Sequence, residues 1–164
     1  MSKLPTGHLI LAAIVLAIAA KIFIFPARIP DLILPASDGA ETVLRDLQGK
    51  EVGVILYASK TPCGGHNAFM ARSVEVFRLL AESPRYHVKV VYGDQTEEEA
   101  RAFAKAYPDV PIVLDPGKAF AEAMDIDYYA TLLYAPSGKI LVEEEGRGLV
   151  PNPGLMAYLD EKTQ

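Results

Sequence analysis

The chain has 164 residues, 51% of them hydrophobic, and a mean hydropathy of +0.17, enough for one domain and too little for two. Residues 1–28 hold three basic side chains and no acid, which leaves residues 29–164 with 13 basic against 21 acidic groups, a net of −8. A surface of that sign repels phosphate backbones and argues against nucleic acid as a partner, while the single cysteine, Cys63, excludes an internal disulfide and a cysteine-rich zinc site.

In chain order the first feature is residues 8–25, where 16 of 18 positions are apolar and only His8 and Lys21 interrupt. As a helix this run rises about 27 Å, just under a hydrocarbon core of about 30 Å, and it spans if Lys21 snorkels to an interface. Ala17-Ile18-Ala19 has the spacing of a signal-peptidase site, but the chain stays apolar as far as Phe25, so retention as an anchor ranks above cleavage. Lys3 and the terminal amine stand against Lys21 and Arg28, and charge alone chooses no side of the membrane. Pro26 and Pro30 end the helix. The division expected is a membrane anchor or signal segment over 1–28 and a folded domain over 29–164.

Residues 31–34 and 41–44 read as two short strands around the turn 35–39, Pro-Ala-Ser-Asp-Gly. Residues 52–57 form an apolar run suited to a strand covered on both faces. After Cys63-Gly64-Gly65-His66, apolar residues from Phe69 to Leu80 recur at helical spacing until Ser83-Pro84. Residues 88–92 are a second buried strand, and Thr96 caps a helix over 97–107 whose three leading glutamates suit the helix dipole and read as a solvated start. There follow a strand at 112–114, a helix at 119–124, strands at 131–134 and 140–144 around Pro136-Ser137-Gly138, and a helix at 153–159. The Glu143–Glu145 run reads as a charged sheet edge, and His87, at a strand start, as structural. Strands alternating with helices before a closing hairpin and helix predict a mixed sheet between helical layers.

Three stretches carry a pattern: residues 54–59, Val-Ile-Leu-Tyr-Ala-Ser, just before the cysteine; residues 110–116, an apolar strand followed by Asp-Pro; and residues 126–140, which contain Ala130-Thr131, a strand and a Ser-Gly-Lys-Ile hairpin. Together they resemble the membrane-anchored redoxins of the thioredoxin fold, the group related to alkyl hydroperoxide reductase and thiol-specific antioxidant and to the TlpA and ResA type. The resemblance covers about residues 31–162. It implies an α/β, thioredoxin-like three-layer fold with a central mixed sheet, here preceded by one N-terminal transmembrane helix, and with the domain on the extracytoplasmic, periplasmic side. The chain departs from the family in three places. The Cys-x-x-Cys motif is Cys63-Gly64-Gly65-His66, the cis-proline position holds Ala130, and Lys60-Thr61-Pro62 stands where a tryptophan precedes the cysteine. A cis bond before a residue other than proline costs about 2.5 to 4 kcal/mol, so the bond before Ala130 is expected to be trans or strained.

A thiol at the start of a helix beginning at Cys63 is ionised more easily by unpaired amides and the dipole, and His66, about one turn on, is in reach of the sulfur as base or ion-pair partner. Gly64 and Gly65 leave the local backbone open. The chemistry expected is attack by a single thiolate on a disulfide or peroxide, with an external thiol resolving the product and a thiol or disulfide protein as partner. Catalysis is assigned to Cys63 and His66, and substrate binding to Gly64, Gly65, Tyr129, Ala130 and Thr131; no cofactor and no metal are expected. The alternatives are a non-catalytic binding or assembly module of the cell envelope and a one-cysteine peroxidase. The second rests on the similarity of Thr61-Pro62-Cys63 to the Thr-Pro-x-Cys segment of some peroxiredoxins, with Arg147 as the candidate arginine. Cys63 and His66 also have the softness for copper or zinc, but two ligands alone make a weak site.

Overall fold

Val52–Ser59 is buried at all eight positions, which requires a neighbour on each edge and cover on each face. The computed structural model supplies both; it describes residues 28–61, 65–146, 149 and 151–164, apart from the side chain of Glu97. The expected anchor at 8–25, together with Cys63, Gly64 and Arg147, lies outside the described residues. Among those described, no helix is long and apolar enough to cross a membrane.

The elements follow the expected order: β1 (Ile33–Pro35), β2 (Glu41–Val43), β3 (Val52–Ser59), α1 (His66–Ala81), β4 (Tyr86–Gly93), α2 (Glu97–Ala106), β5 (Ile112–Asp115), α3 (Ala119–Met124), β6 (Tyr129–Tyr134), β7 (Ile140–Glu145) and α4 (Leu155–Lys162). The main sheet has the order β5-β4-β3-β6-β7. Its first three strands run parallel, β6 and β7 antiparallel, and β1 and β2 form a separate hairpin. One core cluster packs α1 and α4 on one face of the sheet, with Met70, Val74 and Leu80 against Val54, Leu56 and Val90. The other packs α3 and the β1–β2 hairpin on the opposite face, where Phe120 and Leu34 meet Ile55, Tyr57 and Tyr134. Each large side chain so buried contributes about 1.5–3 kcal/mol, so both faces of the sheet are held by apolar packing.

Several element boundaries differ from expectation by one to three residues, and three of them have a local cause. α1 begins at His66 rather than at Cys63, with Gly65 as its N-cap and no side-chain cap. Two consecutive glycines, each costing about 1 kcal/mol in a helix, account for the later start. β6 begins at Tyr129, two residues early, because Ala130 keeps the amide hydrogen that a proline lacks and pairs with Tyr57 in the ladder. α4 begins at Leu155 because the Asn152 side chain accepts from the Gly154 amide and turns the chain first. No cis peptide bond occurs among the described residues, so the bond before Ala130 is trans.

Two glycines in the sheet make room for rings. A Cβ on Gly53 would lie 2.1 Å from the Tyr134 ring, and one on Gly93 would lie 2.0 Å from the Tyr57 hydroxyl. The Tyr134 hydroxyl donates to the Leu44 carbonyl at 2.6 Å, and the buried Lys89 ammonium donates to the Asp46 carbonyl and to the Tyr134 oxygen. This network ties the loop before β3 to the sheet. Burial lowers the Lys89 pKa to about 8, against a smaller upward pull from the Asp46 carboxylate. The Tyr57 hydroxyl is buried with no hydrogen-bond partner, and burial, then the Asp115 carboxylate, raises its pKa far above the ordinary phenol value.

Gly93→Ala is expected to cost about 1–3 kcal/mol in chemical denaturation, as overpacking does. Tyr57→Phe should be neutral or stabilising, since it removes an unpaired buried hydroxyl, and it should recover part of the Gly93→Ala loss by removing the nearest colliding atom. A double variant no better than Gly93→Ala alone contradicts the close approach. His87 gives a second prediction: burial, then the Lys89 charge, lowers its pKa to about 4. The unfolded chain therefore takes up a proton between about pH 6.5 and 4 that the folded chain refuses, and stability falls as pH falls through that window. For a half-buried group the loss is about 1–2 kcal/mol, and a pH series on His87→Gln should lack it.

Candidate functional site

β3 carries the chain to Ser59, and the stretch preceding β6 is fastened to that strand end. The Ser59 amide donates to the Tyr128 carbonyl at 2.7 Å and its hydroxyl to the Asp127 carbonyl at 3.2 Å. The Tyr129 carbonyl accepts from the Gly146 amide at 3.1 Å. All three carbonyls are thus engaged inside the domain. Tyr128 remains 44% exposed. The half-buried Tyr129 stacks on Phe69 of α1, with centroids 4.5 Å apart, and its hydroxyl donates to Thr61 Oγ1 at 3.3 Å.

Thr61 and Gly65 bracket residues 62–64, so the connection that includes Cys63 and Gly64 joins the C-terminal end of β3 to the start of α1. Of the expected site residues, Gly65 is exposed, His66 is half-buried and Tyr129 faces α1. Ala130 and Thr131 are fully buried in β6 and present no side-chain surface; the Thr131 hydroxyl has no partner.

His66 is the first residue of α1, and its ring lies against Tyr92 at 6.2 Å between centroids and 21° between planes. Its Nδ1 is buried without a hydrogen-bond partner. A cleft of about 380 Å³ opens beside it, between α1 and α2, lined by Tyr92, Glu99, Phe103 and Tyr107. Burial, then the Glu99 carboxylate, raises the Tyr92 pKa above the ordinary phenol value.

Glu99 is a residue that the reading of a solvated glutamate run misses. Its carboxylate accepts from the Thr96 amide at 2.8 Å while the Thr96 hydroxyl receives the Glu99 amide, a capping box, and it pairs with Lys60 at 2.6 Å. The hydrogen bond from Lys60, then that from the Thr96 amide, lowers its carboxyl pKa to about 2. The ion pair ties the chain leaving β3 to the start of α2. The signal available in sequence was Thr96 followed three positions later by glutamate; the Lys60 partner needs the fold. Among the described residues, no three His, Cys, Asp or Glu side chains stand close enough to hold a metal ion.

No protein-family model matches the chain, and no curated protein matches it. Solved structures do. The exposed lipoprotein thioredoxin Etrx1 of Streptococcus pneumoniae is 18% identical with a TM-score of 0.61, over 81% of this chain and 98% of that one. A thiol-disulfide oxidoreductase of Bacteroides fragilis is 15% identical with a TM-score of 0.63, over 82% and 98%. A secreted disulfide oxidoreductase of Mycobacterium tuberculosis is 12% identical with a TM-score of 0.59, over 81% and 94%. The likeness is one of fold: the chain has the mixed α/β, thioredoxin-like architecture.

Lys60→Met tests the ion pair. The Glu99 carboxyl should then titrate closer to its ordinary value of about 4.3, read by NMR on that side chain, while the helix cap persists. A midpoint that stays near 2 assigns the whole effect to the Thr96 contacts.

Proposed function

We propose that this chain is a membrane-tethered thioredoxin-fold protein of thiol–disulfide exchange that works through one nucleophilic sulfur, Cys63. The observation that carries the reading is connectivity. The only cysteine lies in the connection from the central strand β3 to α1, and that helix opens with His66, whose Nδ1 is buried and unpaired. A thiolate just ahead of a helix whose first turn has no side-chain cap and no acid is favoured over the thiol. Residues 8–25 serve as a single-pass anchor, and the domain faces the extracytoplasmic side.

In the exchange, the Cys63 thiolate attacks one sulfur of a partner disulfide. The S–S bond breaks, a mixed disulfide forms, and the departing sulfur takes a proton from His66 or from water. With no second cysteine in the chain, an external thiolate then attacks the mixed disulfide, restores the Cys63 thiolate and leaves as a disulfide with the partner. Gly64 and Gly65 give the partner access to the backbone, and Tyr128 and Tyr129 supply ring surface beside the connection.

A second reading, a binding or assembly module without turnover, is favoured by one observation: the carbonyls of residues 127–129 are all engaged within the domain. Alkylation of Cys63 followed against pH separates the two. The exchange reading expects a midpoint well below the free value of about 8.5, and a rise towards it in His66→Ala. A midpoint at or above that value leaves the binding module. Covalent trapping of partners in intact cells, with Cys63→Ser as control, gives the partner's identity.

A further inference from the structure

We propose that the domain stands upright on the bilayer, resting on the end of the sheet where β3 and β4 begin and holding the cysteine-bearing end outward. The inference rests on the reading of residues 8–25 as a membrane anchor and adds an interaction surface to it.

The first argument is attachment. Ile29 is 1% exposed, its amide donates to the Gly138 carbonyl at 2.9 Å, and Arg28 bridges to Lys139. The chain is therefore fixed to the β6–β7 turn by residue 29. Phe25, the last residue of the apolar run, is four peptide steps away, a reach of at most about 14 Å. Gly53, at the start of β3, pairs with Tyr134, at the end of β6, so this turn lies at the end of the sheet where β3 begins. The parallel strand β4 starts at that end too, and the last turn of α4 joins it through the Arg85–Asp160 pair. Ser59, Gly93 and the start of α1 lie at the far end, about 23 Å away along a strand of eight residues.

The second argument is charge. The segments at the attached end, residues 28–31, 44–51, 82–86, 135–139 and 160–164, hold six basic and six acidic side chains. The rest of residues 28–164 holds eight basic and fifteen acidic ones. The acid surplus thus lies away from the attachment. Anionic lipid headgroups repel that remainder over about a Debye length, roughly 8–10 Å, and leave the neutral end as the face that tolerates contact.

The test uses the full chain in vesicles that contain anionic lipid and a headgroup-attached quencher in both leaflets. A fluorophore is placed on Ser137→Cys or on Glu98→Cys, each in a Cys63→Ser background; Ser137 is exposed at the attached end and Glu98 at the far end. Gln164→Cys and Pro116→Cys repeat the comparison at independent exposed positions. Quenching several-fold stronger at 137 and 164 than at 98 and 116 is the expected result. Equal quenching, or stronger quenching at 98 and 116, overturns the orientation while leaving the anchor in place. A chain that fails to float with the vesicles removes the anchor and the orientation together.

Discussion

Because Tyr57 stands opposite Ala130 in the β3–β6 ladder, and Ala58 opposite Tyr129, β6 begins level with the point where the chain leaves β3 towards α1. The surroundings of the candidate site follow from that register. A slip of one residue would exchange the faces of β6, turning Tyr129 away from Phe69 and bringing Ala130 and Tyr134 into the other core. The fit of the Tyr134 ring over Gly53 and of Tyr129 on Phe69 opposes the slip. The ion pair from Lys60 to Glu99 and the hydrogen bond from Tyr129 to Thr61 then tie the two residues that follow β3 to α2 and to β6.

The register is held in turn by packing that leaves little slack. Tyr134 lies across Gly53 and Tyr57 across Gly93, so two large rings occupy space that any side chain larger than hydrogen would take. Lys89 adds a buried ammonium that, among the described residues, hydrogen-bonds no carboxylate and donates instead to the Asp46 carbonyl and the Tyr134 oxygen. Such a group stabilises only when its acceptors are in place, which makes the loop before β3 part of the core.

Much of this architecture is legible in the sequence. The apolar runs at 52–57 and 88–92, the 3.6-residue spacing after Phe69 and the turn residues at 35–39 and 136–138 each carry their own local signal, and the order of elements follows from them. Lys89 is not legible. The strand 88–92 reads as buried, but nothing in Tyr-His-Val-Lys-Val-Val-Tyr shows what receives the ammonium, and its acceptors come from residues 43 and 45 positions away in the chain. The same holds for the contact of His66 with Tyr92 and for the pairing of Lys60 with Glu99, where propensity says only that each residue is polar or capping. Thr131 is the converse case. A family pattern suggests a binding residue, and the strand pleat turns it into the core.

The engaged carbonyls of Asp127, Tyr128 and Tyr129 carry a last consequence. Each of the three already accepts a hydrogen bond within the domain, and Tyr129 opens a strand that has β3 on one edge and β7 on the other, so any further strand must join the sheet at β5 or β7 and not beside the candidate site.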